Sequence, residues 1–423
     1  MLRQHPCSPS AGASLRCDIF CTVIDNFGDI GVCWRLARQL AHEHGWQVRL
    51  WVDDLHAFAR LCPQIDVDLQ RQQVGTVDIR HWSREDPAAR FDDDCAQVAI
   101  EAFGCELPQA YLLKMAARAK DGQPPVWINL EYLSAEDWVA AFHLQLSQHP
   151  RYPLRKTFFF PGLRPGSGGV LRECGLSEAR EHLLQSAPDL ARLWQSLGVP
   201  APPAHATVVS LFGYENPALP ALLAAWRDGP DALVCLVPQG RISADVARFF
   251  ERDAGRHVGR NTGPDTDRGT NRNAGLDLSG IAQSHEVGAL TVHAIPFTEQ
   301  SAYDKLLWAC DLNFVRGEDS FVRAQWAQRP FVWHIYPQAD AAHLPKLDAA
   351  LGCYGAALPA DARVALSAFW HAWNAGDASR LDWPEFWRHR AALNAHATQW
   401  PAELVALGDL AGNLAEYTEN QLK

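Results

Sequence analysis

Two carboxylates bracket a tight turn near the start of the chain. Residues 18–35 read DIFCTVIDNFGDIGVCWR, an apolar run that breaks at DNFGD and is followed by an amphipathic stretch. Asp25 and Asp29 thus stand at the carboxyl end of a first strand, with Gly28 between them. In open α/β sheets ligands bind at that end of the strands. Acid groups there, on a turn rather than on a helix face, are candidates for chemistry, general acid–base work among it. The plainer alternative makes Asp29 a helix N-cap and Asp25 a turn residue, and the spacing leaves both open.

A second turn has the opposite chemistry. In residues 311–325, DLNFVRGEDSFVRAQ, a strand ends in Arg316-Gly317-Glu318-Asp319-Ser320 and a helix follows. A helix start with a serine and an arginine beside it can hold phosphate. Glu318 would repel phosphate and suits sugar hydroxyls. Here too a simple N-cap, Asp319 or Ser320, competes. Phe297 in PFTEQSAY can stack on a nucleobase, and Gln300 offers a donor and an acceptor to its edge. Phe212 and Tyr214 straddle Gly213 at another strand end.

These residues need a frame of alternating strands and helices. Apolar positions at 33, 36, 37, 40 and 41 predict a helix over 30–44, and QVRLWV at 47–52 completes a βαβ unit. Apolar runs at 97–103, 126–130 and 157–160 predict further parallel strands. The proline-rich stretch GVPAPPAH at 198–205 reads as a linker. A second α/β series follows, with strands at 206–212, 232–238, 290–295, 311–315 and 331–334 and helices at 217–227 and 303–309. The expected organisation is a flexible tail over 1–16, a first domain over 17–197 and a second over 206–375. Terminal helices over 376–423 are expected to pack back on the first domain. The polar, glycine-rich stretch 256–288 reads as a mobile insertion.

Composition narrows the class. A chain of 423 residues with 48% hydrophobic and 21% charged residues is globular and long enough for two cores. A net charge of −11 argues against nucleic-acid or anionic-membrane binding and suits a basic protein partner. The eleven cysteines show no CxxC pair, which points to buried free thiols in a reducing cytoplasm. The N-terminus lacks a signal-peptide core, and no apolar run is long enough to span a membrane. GxGxxG, Walker A and GxSxG motifs are absent. Asp92-Asp93-Asp94 reads as a solvated turn, so no metal site is expected.

The segments DIFCTVIDNFGDIGVCWRLARQL, WINLEYLSAEDW, FFFPG, SLFGYEN and LLWACDLNFVRGEDSFVRAQWAQRPFVWHIYPQ resemble the EarP family of bacterial protein-arginine rhamnosyltransferases. The likeness runs from about Cys17 into the C-terminal helices; the tail and the 256–288 stretch depart from it. The resemblance implies a GT-B fold, two Rossmann-like domains facing a cleft. It implies an inverting, metal-independent, cytoplasmic enzyme without a cofactor. Its donor would be dTDP-β-L-rhamnose and its acceptor an arginine of translation elongation factor P, activated thereby to rescue ribosomes stalled at polyproline. Carried over by position, Asp25, Asp29 and Glu318 would be catalytic. Phe212, Tyr214, Phe297, Gln300, Tyr303, Arg316, Glu318, Asp319 and Ser320 would hold the donor. A nucleotide-sugar epimerase on the same frame, or a silent module binding the factor, would be the alternatives.

An arginine acceptor sets a severe demand. Its pKa lies near 12.5–13.8, so full deprotonation at pH 7 costs roughly 8 kcal/mol, about six units. A carboxylate therefore has to take the proton as the C–N bond forms. The expectation is that Asp29 is that base and Asp25 orients the guanidinium or the turn.

Overall fold

A computed structural model describes residues 14–25, 27–83, 91, 94–258 and 284–423. Residues 1–13 of the predicted tail, most of the 256–288 stretch, and Asp92 with Asp93 lie outside the described residues; the end of the predicted tail is instead ordered, with Ser14 bonded to the Gly45 carbonyl and Arg16 opening the first strand.

Two sheets form the frame. The first contains β1 (Arg16–Cys21), β2 (Gln47–Val52), β3 (Arg71–Val74), β4 (Val77–His81), β5 (Val98–Ala102), β6 (Val126–Leu130), β7 (Leu146–Gln148) and β8 (Arg155–Phe159). Its order is β3-β4-β2-β1-β5-β6-β8-β7. The second contains β9 (Thr207–Leu211), β10 (Leu233–Pro238), β11 (Ser284–Val287), β12 (Leu290–Ile295), β13 (Leu312–Arg316) and β14 (Phe331–His334), in the order β11-β12-β10-β9-β13-β14. Among the described residues, central strands pair in parallel and antiparallel strands occur only at edges. The continuous apolar runs follow from this: a parallel strand covered by helices on both faces needs no polar side. In each sheet the order reverses about one strand, β1 in the first and β9 in the second. The crevice for ligands opens at such a switch point.

The two lobes exchange segments. Helices Leu176–Gln185 and Ala187–Ser196 precede the proline-rich stretch, yet Leu183, Leu193 and Trp194 join the second core. Their apolar stripe faces that lobe, and Arg180 donates to the Ala327 carbonyl at 2.7 Å. Helices Trp383–Arg388 and Arg390–Ala406 stay on the second lobe through Trp383, Phe386 and Trp400. Only helix Leu410–Leu422 returns to the first core, burying Leu410, Ala411, Leu414 and Ala415. The helix over 243–258 and β11 reach further into the 256–288 stretch than its polarity suggests.

Cys17, Cys21, Cys33, Cys235 and Cys310 are buried free thiols. Among the described cysteines, Cys174 departs from that expectation and is disulfide-bonded. Among the described residues, no helix is long and apolar enough to cross a membrane.

Candidate active site

The chain leaves β1 in the core and turns back on itself through the Gly28 N–H to Asp25 carbonyl bond at 2.7 Å. Helix Gly28–Glu43 follows, with Phe27 at its N-cap and no side-chain cap. Asp29 is therefore not the cap that the spacing allowed. It lies one residue inside the helix, 1% exposed. Its Oδ2 accepts from the Ile24 and Asp25 amides at 2.8 and 2.9 Å, and its Oδ1 accepts from the Tyr132 hydroxyl at 3.1 Å. The carboxylate thus closes the turn in the reverse direction, satisfying amides that precede the helix.

Asp25 is half-buried and faces the other lobe. Its Oδ2 accepts from the Tyr214 hydroxyl at 2.9 Å. Burial pushes its carboxyl up, against the Tyr214 hydrogen bond and the Arg316 charge. Space is tight here: a Cβ on Gly28 or on Gly317 would stand 2.9 Å from Asp25 Oδ2. Gly317 also has φ +60, a conformation that favours glycine.

The second turn follows β13. Ser320 Oγ accepts from the Arg316 amide at 3.0 Å and donates to the Arg316 carbonyl. Asp319 Oδ1 accepts from Arg35 Nε at 2.7 Å. Neither caps helix Asp319–Trp326; Glu318 holds the N-cap position without a side-chain bond. The cap reading fails because both side chains have stronger partners. Glu318 is half-buried, and burial pushes its carboxyl up to about 8, against a Leu133 backbone hydrogen bond and with the Asp29 charge adding.

Arg316 carries the strongest electrostatic signal. Its guanidinium lies 4.6 Å from the Phe212 ring centre and 4.7 Å from that of Tyr214. The residue is 5% exposed, and among the described residues its Nη1 has no hydrogen-bond partner. Burial lowers its pKa. A buried cation with an unfilled donor is costly unless an anion completes it.

Between the turns lies a cavity of about 560 Å³ that opens to solvent. Asp25, Phe212, Phe297, Gln300, Tyr303, Arg316, Asp319 and Ser320 all line it. Asp29, Tyr214 and Glu318 do not. Tyr214 stands behind Asp25, while Asp29 and Glu318 lie on the Tyr132–Leu133 side. Phe297 packs on Phe27 of the first lobe, ring centres 4.7 Å apart. Tyr303 meets Phe212 edge-on and is buried. Gln300 is more committed than its sequence reading allowed: its Nε2 donates to the Gly31 carbonyl at 2.9 Å and Asp319 at 3.2 Å, and its Oε1 accepts from Arg38 at 3.2 Å. Among the described residues, no cluster of three or more His, Cys, Asp or Glu could hold a metal ion.

Sequence reasoning missed Tyr132, Arg35 and Arg38. Tyr132 has no local signature. Arg35 and Arg38 did have one: with Gly31 they recur at i, i+4 and i+7, which places them on one helical face.

Two Rossmann-like lobes with an aromatic, cationic pocket and facing acids define a glycosyltransferase of the GT-B fold. The family model for elongation-factor P (EF-P) rhamnosyltransferase EarP matches residues 17–419. The protein-arginine rhamnosyltransferase of Pseudomonas putida is 46% identical over 412 residues, covering 96% of this chain and 99% of that protein. Its Pseudomonas aeruginosa counterpart is 45% identical over 401 residues, covering 95% and 98%. A solved structure described as the structural basis for EarP-mediated arginine glycosylation of translation elongation factor EF-P matches with a TM-score of 0.64. It shares 33% identity and covers 96% of this chain and 99% of that one. The chain belongs to this family.

Proposed function

We propose that this enzyme transfers L-rhamnose from dTDP-β-L-rhamnose to one arginine side chain of translation elongation factor P in the cytoplasm. Transfer inverts the anomeric centre, giving an α-rhamnosyl arginine, and needs no resident metal or cofactor. The modified factor then acts on ribosomes stalled at polyproline.

The observation that carries the reading is the unfilled Nη1 of buried Arg316 beside an aromatic cavity, with Asp25 of the other lobe opposite it. Phe297 offers a face for the thymine, and Arg316 with the Ser320 helix start takes the diphosphate. Because the Gln300 amide is already engaged, the base leans on aromatic contact more than on edge hydrogen bonds. As the glycosidic bond breaks, charge builds on the departing diphosphate, where a fixed cation lowers the barrier most.

Asp29 and Glu318 lie on the acceptor side of the turn. A guanidinium arriving there meets two acids and Tyr132. Asp29 Oδ2 is held by two amides, which leaves Oδ1, held by one hydroxyl, to take the proton during C–N bond formation. Asp25, fixed by Tyr214, orients the guanidinium and the turn. An ionised acceptor also favours ionisation of Glu318, converting a mostly neutral acid into a second clamp.

Intact-protein mass spectrometry tests the function. With donor and enzyme, elongation factor P should gain one deoxyhexose. A sugar nucleotide altered without the factor would indicate epimerisation instead, and no change in either would leave only binding.

A further inference from the structure

Three polar side chains of helix Gly28–Glu43, Asp29, Arg35 and Gln39, are buried away from water. A Cβ on Gly31 would stand 3.2 Å from both Asp319 and Gln300, so the helix touches the second lobe there. One turn on, Arg35 is 2% exposed and reaches Asp319 through Nε at 2.7 Å. Its two Nη atoms fork onto both oxygens of Asp304 at 3.0 and 3.1 Å. Arg323, equally buried, forks onto the same two oxygens at 2.9 and 2.7 Å. Glu173 accepts from both arginines, at 3.3 Å from Arg35 and 2.5 Å from Arg323. Within this cluster Arg35 is the arginine on the first lobe's helix, and it is the one bonded to the donor turn.

We infer that Arg35 is a positioning residue for glycosyl transfer, the moving half of an ionic clasp that sets the donor turn against the aspartate turn. The kinetic part of this inference rests on the rhamnosyl-transfer reading above. Asp29 and Arg35 share one rigid helix, so the clasp fixes the acid relative to Asp319 and hence to Arg316 and Ser320. Two guanidinium groups face three carboxylates. Loss of Arg35 leaves Asp304 and Glu173 to Arg323 alone and Asp319 without a guanidinium, and the repulsion among the three acids parts the lobes. Lysine cannot replace it, because a single ammonium cannot fork onto Asp304 while holding Asp319.

Arg35→Lys keeps the charge and is the test. Spin labels at exposed Leu113 and Val364, one on each lobe, report the lobe separation. The variant should broaden that distance distribution, lower kcat at least 30-fold, and hold dTDP affinity within threefold, since Arg35 does not line the donor cavity. An unchanged distribution, an unchanged kcat, or a dTDP affinity loss as large as the kcat loss would each overturn the inference. If Arg35→Lys does not fold, Asp304→Asn replaces it: the same broadening with about a tenfold lower kcat supports the clasp, and wild-type behaviour refutes it. Should the wild-type protein transfer no rhamnose, the functional reading fails while the label distances still decide the clasp.

Discussion

The turns after β1 and β13 have the same local form and opposite electrostatic outcomes. Each is a buried parallel strand that ends in a glycine-containing turn and a helix. In the first, backbone amides and two tyrosines hold the carboxylates, and one oxygen of Asp29 remains lightly bound. In the second, the carboxylate of Asp319 is neutralised by Arg35, and the cation of Arg316 is left open. Strand–turn–helix geometry supplies the position. The partners each charge finds elsewhere decide whether a turn offers an acid or a cation.

Asp29→Asn is the harshest challenge to this division. It should lower kcat about 1000-fold, in the range expected for loss of a general base, as read by rhamnose transfer under saturating substrates. Arg316→Lys should act on the other turn alone. Loss of the charge-assisted, forked contacts proposed between Arg316 and the diphosphate should raise the donor KM roughly 10- to 100-fold, with a smaller change in kcat. Equal effects of these two variants on kcat and KM would erase the distinction between the turns.

Tyr214→Phe sharpens the comparison. It removes a donor that favours ionised Asp25, so the Asp25 pKa rises further. The acid limb of the pH–rate profile should move to higher pH, with kcat at pH 7 about tenfold lower. A limb that does not move detaches Asp25 from the rate.

Glu318→Gln tests the border between the turns and has the smallest effect. The native carboxyl titrates near 8, above an ordinary value of 4.5. Between those pH values the unfolded chain has released the proton and the native chain has not, so native stability falls as pH rises. The variant should flatten that fall by roughly 1 kcal/mol, discounted because the side chain is only half-buried, in urea melts at pH 5 and pH 8.

Much of this was legible in the sequence because it is local. Apolar runs located the central strands, and strand ends placed Asp25, Phe212, Phe297 and Arg316 around one cleft. The pairings were not legible. Arg35 and Asp319 are 284 residues apart, and Tyr214 and Asp25 are 189 apart. Periodicity reports which face of a helix is apolar. It does not report that Arg35, on the polar face of helix Gly28–Glu43, is buried against another lobe. The N-cap readings failed for a related reason. Asp29, Asp319 and Ser320 have cap chemistry, but each found partners outside the first turn of its own helix.

Calorimetric titration of dTDP-rhamnose into Asp29→Asn protein tests the division of labour most directly, because that variant should bind without turning over. The account predicts a dissociation constant within about threefold of that of dTDP-rhamnose for the wild-type enzyme (measured without acceptor), and no rhamnose on elongation factor P. Lost donor binding, or transfer at near wild-type rate, would contradict it.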